Sequence, residues 1–458
     1  MITIPAHIFR EYDIRGVVGV DLTEERVRRL GLAAAAAFRR DGIEAAVVGR
    51  DVRASSGAFF AALAEGLTRG GVSVIDIGIV PTPVFYFAAK KWGVAGGIMI
   101  TASHNPSEFN GFKVLRGEGT IYGADILELR DMALGDLPEP GGGRVTARSA
   151  DAEYVEHVAR GISIARPVSF AVDGGNGTAG LVTRDLFAAL GVRPLELFMD
   201  PDGAFPNHHP DPTVPENLAA LKAAVLTNEF ELGIAFDGDS DRIGVIDDRG
   251  EILWGDRLLA LFARSVLRDH PGATVIFEVK CSESLIEDIA KHGGKPLMWK
   301  AGHSLIKQKM RETNALLAGE MSGHIFFADR YFGYDDALYA ACRLLEIVSR
   351  EKKPLSSLLG DLTRYETTPE IRVACEDERK FEVVRSVRDH FRKTHDVIDV
   401  DGARVKFDGG WGLVRASNTQ PVLVLRFEAA TKELLAAIKK EIALVLGRYV
   451  DVSVLTDA

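Results

Sequence analysis

One order of local patterns recurs three times along the chain, and this recurrence restricts the fold more than any single motif does. First comes AAVVGRDVRASS, an apolar β-type run with a polar loop, then the helical pattern SGAFFAALAEGL, then the strand-like runs VSVIDIGIV and GGIMI, the last ending in TASHNP, Thr101–Pro106. Next, SFAVDGGNGTAG opens a helical stretch, PLELF follows, and ELGIAF ends in DGDSDR, Asp237–Arg242. Finally ATVIFEVKCSESL, KPLMWKAGHSLI and NALLAG lead to EMSGH, Glu320–His324. Strands alternating with helices of ordinary length imply α/β units whose sheets are mixed and largely parallel. In such sheets ligands bind at the loops beyond the strand C-termini. The repeat predicts three related α/β domains, each presenting one polar loop.

The breaks between patterns give the boundaries. GDLPEPGGGRV is rich in proline and glycine and reads as a linker, a turn follows IGVI near Asp248–Gly250, and a third break falls at Thr363–Pro369. The expected domains are 1–145 with the TASHNP loop, 146–250 with DGDSDR, 251–363 with EMSGH, and 364–458. The last has a different composition: EIRVACEDERKFEVVRSVRDHF, alternating strands, then an amphipathic helix over Thr431–Gly447 with Leu434, Leu435, Ile438 and Ile442 on one face. It predicts a smaller α+β domain. A chain of 458 residues has ample material for several cores.

A net charge of −10 argues against a broad basic face for nucleic acid, while leaving room for a local basic pocket that takes a small anion. The three cysteines, Cys281, Cys342 and Cys375, have no close spacing and cannot all pair, which favours a reducing compartment. The N-terminus lacks an apolar signal core, and the run LGLAAAAAF is too short to span a bilayer. The expectation is a cytoplasmic protein with neither membrane nor nucleic-acid partner.

Chemistry concentrates in the loops. In DGDSDR, carboxylates at alternating positions can converge on one hard cation, which prefers oxygen ligands. An EF-hand is excluded, because Arg242 stands at its sixth position, Asp248 at its twelfth, and the flanks are strand-like. A phosphohydrolase with Asp237 as nucleophile and a solvated acidic turn stay open. RASNTQP, Arg415–Pro421, offers a guanidinium, two hydroxyls, an amide and successive backbone N–H groups, a phosphate cradle if it is more than a polar turn. In GEMSGH, Glu320 and Ser322 can hydrogen-bond sugar hydroxyls and His324 can move a proton near neutral pH. KAGHSLI places Lys300 and His303 in a loop before a helix, where an anion is favoured. No Cys or His partner stands at zinc-like spacing from either histidine. PNHHPDP, with His208 and His209, reads as a rigid proline-bracketed loop, and Cys281 as structural. Ser103 and His104 do not suggest a hydrolase dyad, since adjacent side chains in extended backbone point to opposite faces. A serine that carries a phosphoryl group would instead account for the neighbouring aspartate motif.

TASHNP, DGDSDR, GEMSGH and RASNTQP, with EYDIRG at Glu11–Gly16, stand in the order found in the α-D-phosphohexomutases, and the chain resembles their bacterial phosphomannomutase/phosphoglucomutase type over essentially its whole length. The resemblance implies three α/β domains of shared topology around a central cleft plus a fourth. It makes Ser103 the phosphoserine, with His104 supporting it, and gives Mg²⁺ to Asp237, Asp239, Asp241 and an oxygen on Ser103. Tyr12, Arg15, Arg242, Lys280 and His303 would line the cleft, Glu320 and Ser322 would hold sugar hydroxyls, and Arg415, Ser417, Asn418 and Thr419 would bind phosphate. His324 is the first candidate for general acid/base and Lys113 the second.

The implied reaction interconverts hexose 1- and 6-phosphates, of mannose or glucose, through a hexose 1,6-bisphosphate that serves as intermediate and activator and turns around in the cleft. Contacts to O3 and O4 ignore C2, where the two sugars differ. The usual role of the family is to supply nucleotide-sugar precursors, and a monomer is favoured. Water must be excluded during transfer, so the last domain is expected to hinge near residues 363–369. Glu283 stands where members often carry a basic residue, which predicts weaker attraction for phosphate in that loop, and Ala301 replaces a frequent threonine, which predicts a mild effect.

Overall fold

In the computed structural model, which describes residues 3–417 and 420–455, the repeat is one of topology. The first unit has strands Ala45–Arg50, Ser73–Ile79, Gly96–Ile100 and Phe109–Arg116; the first lies between the second and third, parallel to both, and the fourth runs antiparallel beside the third. The same order recurs in Phe170–Asp173, Leu195–Leu197, Leu232–Phe236 and Ile243–Asp247. It recurs again in Thr274–Glu278, Lys295–Trp299, Leu317–Gly319 and Ile325–Phe327. The sheets are mixed, and helices cover them. The first sheet is extended at one end by Ile14–Val17 and at the other by Val145–Ala147.

Each motif loop joins the third strand to the fourth. Every residue of Gly96–Ile100, Leu232–Phe236 and Ile243–Asp247 is buried, which is why these segments are uninterrupted apolar runs rather than alternating ones. A loop held between two such strands is fixed at both ends, unlike one that feeds a helix on one side.

The last unit is an antiparallel sheet in the order Glu366–Thr367, Val422–Ala429, Gly410–Ala416, Ala403–Phe407, Val397–Ile398, with Ile371–Ala374 also paired to Val422–Ala429. Helices Asp377–Phe391 and Lys432–Leu446 pack against it, the latter burying Ile438 and Ile442 with Leu434 and Leu435 at the margin.

Two features of the core bear on motion. One apolar cluster runs from Val47 and Phe87 through Phe170 and Leu232 to Phe262 and Leu345, so the first three units share packing, whereas the last has a core of its own. The connection between them is short. The hydroxyls of Thr363 and Tyr365 both donate to Glu287 of the third unit at 2.6 Å, while Glu366 and Thr367 already pair with Ala429 and Glu428. Within 363–369 the chain therefore passes from the third unit to the last at the step from Tyr365 to Glu366. The three cysteines are buried and free, and among the described residues no helix is long and apolar enough to cross a membrane.

Candidate functional site

Ser103 lies just beyond the strand Gly96–Ile100 with φ of 50°, in the left-handed region. This turn corrects the expectation drawn from extended backbone. The Ser103 Oγ lies 3.1 Å from His104 Nδ1 and donates to Asp237 Oδ2 at 2.6 Å. A hydroxyl has one proton, so with that proton on Asp237, His104 Nδ1–H donates to Oγ. Burial, with Arg242 and Arg15 nearby, pushes the His104 imidazole well below the usual histidine range. Arg53, itself buried against Asp51, ties the loop from below: it donates to the carbonyls of Ser103 (2.9 Å), Asn105 (2.5 Å), Pro106 (2.6 Å) and Phe109 (2.9 Å). Arg15 reaches the same loop through the Asn105 side chain.

The DGDSDR loop packs directly on this turn. A Cβ on Gly238 would lie 2.6 Å from the Ser103 carbonyl oxygen, so the close approach requires glycine there. Asp237, Asp239 and Asp241 are fully buried, with carboxylate oxygens within 4.8 Å of one another. Asp237 is fully engaged: Oδ1 accepts the backbone N–H of Asp241 and of Arg242, both at 3.0 Å, and Oδ2 accepts Ser103. Burial and the charges of Asp241 and Asp239 raise its carboxyl well above the usual range. Thr82 donates to Asp239 Oδ2 at 2.6 Å, and Lys113 Nζ to Oδ2 of both Asp239 and Asp241. Burial opposes the lysine charge, but the two aspartates outweigh it and hold Lys113 well above its ordinary value. Asp239 Oδ1 and Asp241 Oδ1 are buried with no hydrogen-bond partner. Hard oxygens left unpaired beside a serine oxygen fit a divalent cation such as Mg²⁺.

The third loop rests on the second: Ile243 N–H donates to the Gly323 carbonyl at 3.1 Å, and Gly323 has φ of +91°. His324 Nε2 accepts from Arg242 Nε at 2.9 Å, which places the ring proton on Nδ1, 3.2 Å from Asp335 Oδ2 and 3.5 Å from Asp241 Oδ1. Asp335 is neutralised by Lys307 Nζ at 2.9 Å, so the two unpaired aspartate oxygens are the better cation ligands. His303 begins the helix His303–Thr313 rather than preceding it, and its ring stacks on that of His324. Burial and Lys307 push it well below the usual histidine range. Glu320 Oε1 accepts the Gly302 N–H at 2.9 Å, and Ser322 donates to Oε2 at 3.3 Å. Tyr12 lies edge-on to His303 and donates to the Ala301 carbonyl at 3.4 Å.

The fourth wall comes from the last unit. Arg415 is buried and paired with Asp401, and the Ser417 hydroxyl accepts the Gln420 N–H; Asn418 and Thr419 lie outside the described residues. Lys280 Nζ sits 3.1 Å from Glu370 and 3.5 Å from Glu278, an arrangement that spends its charge on carboxylates in this state. Glu283 accepts from Arg404 of the last unit at 3.0 Å, so it serves the contact between units. His208 pairs with Asp173 and the His209 carbonyl, a structural role. The first three motif loops thus form one chain of contacts.

The chain matches the phosphoglucomutase/phosphomannomutase α/β/α domain I over residues 6–129, domain II over 152–250, domain III over 254–365 and the C-terminal domain over 370–445. The chain belongs to the phosphoglucomutase/phosphomannomutase family. It is 46% identical to the phosphomannomutase/phosphoglucomutase of Pseudomonas aeruginosa, over 95% of each chain. It is 44% identical to the phosphoglucomutase of Neisseria gonorrhoeae, over 97% of this chain and 98% of that one. The crystal structure of a phosphoglucomutase/phosphomannomutase family protein from Burkholderia thailandensis is 43% identical with a TM-score of 0.92, covering 98% of this chain and 99% of that one. The protein is accordingly an enzyme of the mutase class.

For a phosphoglucomutase/phosphomannomutase site, several supporting residues escaped the sequence reading. Arg53 and Thr82 follow the first and second strands of the first unit, where a repeat of strand ends could have pointed to them. Asp335, Lys307 and Asp401 carry no local motif. Their partners are near only in the folded chain.

Proposed function

We propose that the enzyme interconverts hexose 1-phosphate and hexose 6-phosphate, of glucose and mannose, through phosphorylated Ser103 and a hexose 1,6-bisphosphate. The observation that carries this reading is Ser103 Oγ, buried and 2.6 Å from a carboxylate of a three-aspartate set whose remaining oxygens lack partners. Asp237, Asp239, Asp241 and an oxygen on Ser103 would hold Mg²⁺. When bound, the ion neutralises charge on the transferring phosphoryl group.

In the first half-reaction the Ser103 O–P bond breaks, the phosphoryl group passes to the free sugar hydroxyl, and that hydroxyl's proton goes to a base. We assign the base to His324, whose Nε2 takes the proton once Arg242 has left it for the substrate, with Nδ1–H facing Asp335. Lys113, engaged by two aspartates and held charged, is suited to stabilising negative charge instead. Ser103 Oγ is left as an anion. The bisphosphate then turns over, the bond from its other phosphorus to the sugar oxygen breaks as that phosphoryl group bonds to Oγ, and the base returns the proton to the sugar oxygen. Glu320 and Ser322 hold sugar hydroxyls common to both orientations, while Arg415 and Ser417 hold the phosphate not being transferred. An Asp237-nucleophile phosphatase is disfavoured, because it gives the last unit, with Arg415 and Ser417, no task.

Intact-protein and peptide mass spectrometry before and after incubation with glucose 1-phosphate and Mg²⁺ tests the reading. The expected result is one exchangeable phosphoryl group on Ser103, absent in Ser103→Ala, whose turnover falls by on the order of 10³-fold or more. A phosphoryl group on Asp237 with Ser103 bare would establish the phosphatase.

A further inference from the structure

Asp401 lies in the turn between strands Val397–Ile398 and Ala403–Phe407 of the last unit, outside every motif of the sequence. Its Oδ2 accepts three donors at once: the backbone N–H of Ala301 in the third unit at 3.0 Å, and Nε and Nη2 of Arg415 at 3.1 and 3.0 Å. The carbonyl of the same Ala301 accepts Tyr12 from the first unit. One residue, Ala301, is therefore held by the first unit through its carbonyl and by the last through its N–H. The turn that carries Asp401 is itself fixed. Gly402 has φ of +95°, and a Cβ there would lie 2.6 Å from Arg415 Cβ, so the turn packs directly on the strand that bears Arg415.

The chemistry gives this arrangement a task. A guanidinium has five N–H donors, and Asp401 uses only the Nε–Nη2 edge, which leaves the Nη1 protons and one on Nη2 for another anion. A single oxygen that serves three donors needs its full negative charge to hold them. A free arginine side chain loses rotamer entropy when it binds phosphate, and one already pinned does not lose it again. We propose that Asp401 is a positioning residue for phosphate binding, aiming Arg415 into the cleft and tying that aim to the seating of the last unit on Ala301. This inference rests on the reading of Arg415 as a phosphate ligand.

The test is a cycle of Asp401→Asn, Arg415→Ala and the double variant, each measured for glucose 6-phosphate affinity by calorimetry and for KM and kcat. Asn keeps an oxygen for Ala301 and loses the charge that holds Arg415. D401N is expected to weaken binding and raise KM by about tenfold, with the change on KM rather than kcat. In the R415A background the same substitution should change the affinity less than about twofold. An unchanged Kd in D401N would overturn the proposal. So would tighter binding, which would make Asp401 a competitor of phosphate, or an equal loss in the R415A background, which would make its role structural. A wild type that binds glucose 6-phosphate without turning it over would refute the mutase reading and leave the Asp401 cycle to be read from Kd. A wild type that does not bind would overturn both.

Discussion

Three buried carboxylates that face one another repel, and Lys113 and Arg242 offset only part of that charge. A divalent cation that binds the folded chain should therefore stabilise it. Mg²⁺ at a hundredfold excess over its Kd should add about 2.7 kcal/mol to unfolding, read as a higher calorimetric midpoint than in EDTA. Asp239→Asn should lose most of that response. Equal midpoints with and without Mg²⁺ in the wild type would remove the metal from this site. The aspartates were legible because alternate positions in one short loop are already close. Thr82 was not, since it meets Asp239 across 157 positions. The Ser103–His104 contact was misjudged for another reason: the side-chain directions of extended backbone do not apply where φ is positive, and a sequence without glycine at that position gives no warning of it.

At the scale of elements, the strands that lead into the first two motif loops were readable because they are continuous apolar runs, whereas the return of each motif loop into an antiparallel strand was not, because direction leaves no mark on composition. The helix Ala337–Arg350 shows how an element can also join units. Its N-cap Asp336 accepts the backbone N–H of Tyr339 and the hydroxyls of Tyr154 and Tyr331, so one carboxyl ties the second unit to the third. Burial raises this group to about 6 from 3.8. A carboxyl that holds its proton more tightly when folded favours the folded state most below its unfolded value, and loses that contribution as pH rises through its folded one. From pH 4 to 6.5 the wild type should lose on the order of 2–3 kcal/mol that Asp336→Asn does not. Parallel pH profiles of unfolding for the two proteins would show that Asp336 does not titrate there.

At the scale of the molecule, three units with shared packing carry a fourth that has its own core and is joined through one short step at Tyr365–Glu366. Its seat is on residues 279–283. Arg404 donates to the carbonyls of Val279 and Cys281 and to Glu283, Arg426 donates to the Lys280 carbonyl, and Glu428 accepts the Glu283 N–H. Val279, Trp411 and Leu413 form an apolar patch beside them. Polar groups paired around an apolar patch are costly to separate, whereas the contact of Asp401 with the Ala301 N–H is a single hydrogen bond. A last unit that closes is therefore expected to pivot on residues 279–283, with Ala301 at the lip. Glucose 1-phosphate should lower the radius of gyration in solution scattering and slow amide exchange at Ala301, while the amides of 279–283 keep their protection. Loss of protection at 279–283 on binding would place the pivot elsewhere. A scattering curve and exchange pattern unmoved by the sugar would mean that the last unit is already seated before substrate arrives, and that water is excluded by the substrate itself rather than by closure.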